Sequence, residues 1–89
     1  MARFVLWGQY CPDALVKRTP FRDEHLARLK ALKLDGTLIT LGPTQDSTYV
    51  FGIFEADDIE KIRKLIADDV YSREKIWVQT EVYPWIQAF

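Results

Sequence analysis

Histidine is the one side-chain type that ordinarily titrates near neutrality, and this chain has a single one, His25. On a helical wheel Phe21, His25, Leu29 and Leu32 form one stripe, so the imidazole faces inward near the start of a helix. Two roles are open to it. It can brace or cap the helix with its hydrogen bonds satisfied internally. It can also act as a general acid or base, provided its surroundings open to solvent. An imidazole used that way needs a carboxylate to orient it. Asp35 ends the same helix ten residues later, roughly 15 Å away at ~1.5 Å per residue. Asp68, Asp69 and Tyr71 follow a second helix. They read either as a solvated helix end or as the source of that carboxylate.

Other chemistries find little support. One histidine and one cysteine do not make a clustered zinc site. No glycine loop of the phosphate-binding kind is present. Cys11, beside Pro12 in a loop, reads as a bystander thiol. The charges Lys17-Arg18 and Arg28, Lys30 and Lys33 read as solvated faces. A net charge of −1 argues against a nucleic-acid footprint. The first apolar run, Phe4 to Trp7, stops at Gly8, too short for a signal core or a membrane span. With no intrachain disulfide possible, the expectation is a cytoplasmic protein with no organic cofactor and no metal.

The elements that must position His25 follow from punctuation and periodicity. Phe4–Tyr10 reads as a strand and residues 11–19 as a polar connector. Thr19-Pro20 reads as an N-cap and first helical position, with the helix running to about Leu34 and Gly36 as its left-handed end. Thr37–Leu41 and Thr48–Glu55 read as a hairpin around the Gln45-Asp46-Ser47 turn. Asp57 with Glu60 resembles a capping box, and Ile59, Ile62, Leu65 and Ile66 give the second helix one apolar face. Ile76–Tyr83 is a fourth strand, ended by Pro84 and followed by the apolar tail Trp85–Phe89.

The order βαββαβ is the split-βαβ, ferredoxin-like pattern within a single domain spanning 1–89. It predicts an α+β fold: a four-stranded antiparallel sheet in the order 4-1-3-2, with two helices on one face. The helices run antiparallel, so the end of the second lies beside the start of the first, which makes Asp69 a better partner for His25 than Asp35. Strands wet on one face alternate apolar with polar residues. Here Phe4 and Leu6 back onto Val5 and Trp7, and Tyr49, Phe51 and Ile53 back onto Val50 and Phe54. Two helices cover one face only, so the expected cover for the other is a second copy, giving a homodimer with the tail at or near the contact.

The segments Arg22-Asp23-Glu24-His25-Leu26 and Gly36-Thr37-Leu38-Ile39-Thr40-Leu41-Gly42-Pro43 resemble the YciI-like (YCII-related) family. Its pattern has an Arg-x-x-His-Leu helix start, a glycine eleven residues after the histidine, and a strand ending in Gly-Pro. Its second helix closes on Asp-Pro-aromatic, and here that element is Asp69-Val70-Tyr71. The resemblance implies a dimeric α/β-barrel fold and a histidine–aspartate pair in a cleft, carried over to His25 and Asp69. Arg22 and Tyr71 match positions near that cleft and would contact substrate. Two departures stand out: Val70 replaces the proline, which removes a rigid element beside Asp69, and the segment after Gly42-Pro43 is short. The implied function is a small-molecule enzyme of isomerase, lyase or hydrolase type. A non-catalytic ligand-binding or interaction module on the same scaffold is the alternative.

Overall fold

Alternation along the strands decides which side of the sheet is covered. The computed structural model describes residues 2–89. In it the strands β1 (Ala2–Tyr10), β2 (Leu38–Pro43), β3 (Tyr49–Ala56) and β4 (Trp77–Trp85) form one antiparallel sheet in the order β2-β3-β1-β4. On one side Phe4, Leu6, Val50 and Phe54 are buried against Ile62 and Ile66. Helices α2 (Arg22–Leu34) and α3 (Ile59–Ala67) supply that layer. The expected ferredoxin-like α+β architecture and strand order are therefore present.

Helix α2 ends as its sequence requires. Gly36 adopts φ 88°. The Thr37 N–H reaches the Leu32 carbonyl at 3.0 Å and the Gly36 N–H reaches Lys33 at 3.3 Å, which satisfies the last carbonyls in a Schellman arrangement. Its start departs from the expectation. Thr19 does not cap the helix; its hydroxyl donates to the Leu15 carbonyl at 3.1 Å. Thr19–Phe21 forms a 3-10 turn, and the connector before it holds a short helix, α1 (Ala14–Lys17). Proline at position 20 fits either kind of turn, so it did not discriminate between them. The cap of α3 is Asp58, one residue later than the capping box suggested, accepting from the Lys61 N–H at 3.0 Å.

Strand β4 also runs further than expected. Pro84 does not end it but pairs with Phe4. As β4 is an edge strand, a residue without an N–H is tolerated there. A register shift opposite Gln9 and Tyr10 brings Trp77 into the core beside Tyr10, while Val78 is exposed. The step from α3 into β4 contains a last one-turn helix, α4 (Val70–Arg73).

The other side of the sheet carries Trp7, Tyr49 and Phe51, all exposed. Trp7 stacks on Tyr49 with ring centroids 5.1 Å apart and meets Phe51 edge-on at 6.5 Å. The tail does not close over this face, because Ile86 and Phe89 are fully exposed in the single chain.

Candidate functional site

The inward stripe of α2 and the cap of α4 meet at one point. His25 is 4% exposed and Asp69 is 1% exposed, and the His25 Nδ1 lies 2.8 Å from Asp69 Oδ1. The carboxylate has two further donors. Its Oδ1 accepts the Tyr71 backbone N–H at 2.9 Å, which makes Asp69 the N-cap of α4. Its Oδ2 accepts Arg28 Nη1 at 3.3 Å. A carboxylate only accepts, so His25 Nδ1 donates the proton of this bond, and Nε2 is the ring nitrogen left without a partner on the protein. Val70, in place of the family's proline, leaves no slack here: it is buried and Asp69 is held by hydrogen bonds from three directions.

The ring itself is clamped by aromatics. Tyr71 stacks on His25 with centroids 3.6 Å apart and planes 6° from parallel. Trp77 meets both rings edge-on, at 5.2 Å from His25 and 5.6 Å from Tyr71. The Trp77 indole nitrogen is buried with no hydrogen-bond partner among the described residues.

His25 and Tyr71 open onto a cleft of about 300 Å³, lined also by Tyr10, Arg18, Arg22 and, around the β2–β3 turn, Gly42, Pro43, Thr44, Gln45 and Ser47. The imidazole is thus packed on one side and reachable on the other. Among the described residues Nε2 makes no hydrogen bond, and it is not among the sealed unpartnered nitrogens. Burial pushes the Tyr71 phenol above its ordinary pKa, with the Arg18 guanidinium the main opposing charge. Tyr10 is raised for the same reason, opposed first by the Trp77 indole and then by Arg18 and Arg22. A larger open concavity of about 600 Å³ lies across Tyr10, beside Cys11 and Asp13, but His25 does not reach it.

All four residues singled out in the sequence, Arg22, His25, Asp69 and Tyr71, come together here. Asp35 does not; it caps the far end of α2 by accepting the Thr37 N–H at 2.8 Å. Two residues read as solvated charges are corrected. Arg28 is paired to Asp69, and Arg18 lines the cleft. Arg28 was legible in principle, being three residues after His25 and so on the same helical face. Tyr10, Arg18 and Trp77 carried no such signal, because a bulge and a 3-10 turn set their directions.

The fold and this arrangement define a ferredoxin-like α+β protein with a histidine–carboxylate pair at the edge of a cleft. The YCII-related domain model matches residues 2–86, and the chain belongs to that family. A protein of Haemophilus influenzae described as uncharacterised is 27% identical over 96 residues, covering 97% of this chain and 98% of that one. Among solved structures, 5-chloro-2-hydroxyhydroquinone dehydrochlorinase (TftG) from Burkholderia phenoliruptrix, in complex with 2,5-dihydroxybenzoquinone, superposes with a TM-score of 0.81. It is 24% identical and covers 97% of this chain and 95% of its own. An antibiotic biosynthesis monooxygenase superposes with a TM-score of 0.58 at 12% identity, with 99% of each chain covered. At these identities the two structures speak to the fold.

Proposed function

We propose that the protein is a small-molecule enzyme in which His25 moves a proton and Asp69 orients it. The reading is carried by one observation: an imidazole bonded at 2.8 Å to a buried carboxylate, on the wall of an open cleft. In this reading Nε2 takes a proton from substrate, and the positive charge gained by the ring is stabilised by Asp69. The electron pair left behind moves toward a substrate oxygen held by Arg22. Returning the proton to another carbon gives isomerisation, and loss of a leaving group gives elimination. Water added to the same site gives hydrolysis. The flat face of Tyr71 keeps the imidazole in one orientation, and the chemistry asks for no organic cofactor. The name of the dehydrochlorinase that shares the fold is compatible with the elimination branch.

The depth of the imidazole favours a second reading, a binding module in which the His25–Asp69 pair is structural. Turnover separates the two. With a panel of hydroxylated aromatic and carbonyl substrates, His25→Gln and Asp69→Asn should each lower kcat at least tenfold while the fold is retained. Equal turnover in wild type and both variants would leave only the binding module.

We further propose that the active form is a homodimer in the cytoplasm, joined through the aromatic face of the sheet.

A further inference from the structure

We propose that the cleft beside His25 is built for a small organic anion bearing a carboxylate, held by Arg18 and Arg22 acting together. The inference rests on the reading of this cleft as the substrate site, and it adds the class of molecule and a second anchor.

The charge census of the molecule points here. Arg3 lies 4.0 Å from Glu55 and Arg28 lies 3.3 Å from Asp69. Arg63 is paired with Glu60, and Arg73 lies 2.9 Å from Glu24. Arg18 and Arg22 have no carboxylate partner among the described residues, and both line the same cleft. No Asp or Glu stands among the residues that form its wall. Two carboxylates border it and both are engaged: Asp69 by His25, Arg28 and the Tyr71 N–H, and Asp46, in the β2–β3 turn, by the Thr44 hydroxyl and the Thr48 N–H. The cleft wall therefore carries two guanidiniums without an ion-pair partner and no carboxylate of its own.

The two guanidiniums are placed by a stiff piece of chain. Arg18 closes α1, Arg22 opens α2, and the 3-10 turn Thr19–Phe21 joins them. Pro20 fixes one torsion of that turn and Phe21 packs against the core. Both line the cleft together with the imidazole and the Tyr10 and Tyr71 rings. A planar guanidinium fork matches a carboxylate through two parallel hydrogen bonds. Leu26, Leu29, Leu41 and Pro43 give the wall an apolar stretch, beside the polar Thr44, Gln45 and Ser47. That wall calls for an organic body on the anion, since inorganic phosphate would leave it unpaired.

Benzoate, its neutral isostere benzamide and inorganic phosphate test this by titration, followed by the His25 ring-proton NMR signals and by calorimetry. Benzoate should bind and shift the His25 signals, with benzamide at least ~10-fold weaker, a difference of about 1.4 kcal/mol. Arg18→Gln and Arg22→Gln should each weaken benzoate by a similar factor, with circular dichroism unchanged and benzamide binding unaffected. His25→Gln, followed by calorimetry, should still bind benzoate. Benzamide binding as tightly as benzoate would overturn the proposal. So would both arginine variants binding benzoate like the wild type, or phosphate competing on equal terms. The acid–base reading fails on turnover in the His25 variant, whereas this one fails on binding in the arginine variants, so the two failures are distinguishable.

Discussion

Asp69 is the residue on which the site turns, because three groups from two helices converge on its two oxygens. His25 and Arg28 come from α2 and the Tyr71 N–H comes from α4. Removing the carboxylate leaves buried donors without partners, which costs roughly 1–3 kcal/mol. Asp69→Ala should therefore lower the urea midpoint clearly. Asp69→Asn should lower it less, since an amide oxygen still accepts the Tyr71 N–H. Equal losses in the two variants would mean that the cap contributes nothing. The pairing with His25 was readable from sequence because one histidine on an inward stripe and an antiparallel helix pair leave few alternatives. Arg28 was hidden by its neighbours: Lys30 and Lys33 make it look like part of a solvated charge row. The structure separates them, with Arg28 turned to Asp69 and Lys33 donating to the Ile39 carbonyl at 2.9 Å.

At the scale of elements, the seam between the end of β1, the start of α2 and α4 is where the site is made. Tyr10 comes from β1 and Tyr71 from α4, and both phenols are raised above their ordinary pKa, chiefly by burial. The unfolded chain then ionises its tyrosines first as pH rises. The stabilisation is whole below about pH 10 and is lost progressively above it, until the folded phenols ionise as well. Urea midpoints should thus be flat across this contribution up to that point and fall beyond it, and Tyr10→Phe should blunt the fall. An unchanged alkaline limb in Tyr10→Phe would show that the seam opens before the phenols titrate. Periodicity located the long elements well: the Ile62 and Ile66 face of α3 and the alternation of β1 and β3 match what is buried, and the α2 stripe faces inward with His25 buried and Phe21, Leu29 and Leu32 half-buried. It failed at the joints. Residues 14–21 carry no apolar repeat long enough to show a short helix followed by a 3-10 turn. The shift opposite Gln9 and Tyr10 puts Trp77 rather than Val78 in the core, and strict period-two counting cannot register an extra residue.

For the whole molecule, the sheet is covered on one face and bare on the other. Trp7, Tyr49, Phe51 and Tyr83 are between 37% and 51% exposed in the single chain. Burying side chains of this size is worth roughly 1.5–3 kcal/mol each. Sedimentation at micromolar concentration should give about twice the 10.4 kDa chain mass, and Phe51→Lys should return it to the single value. A wild type that sediments as one chain would refute the dimer. The edges of the sheet bear on what form such association takes. On the β2 edge the register slips around Ile39, whose carbonyl is occupied by the Lys33 ammonium. On the β4 edge Pro84 offers no N–H, and the register slips again near its start. Neither edge presents a straight row of free backbone groups to a fifth strand. Strand addition is disfavoured at both edges, so the proposed dimer, joined through flat faces, would close on itself and leave no straight edge for a fibre to extend.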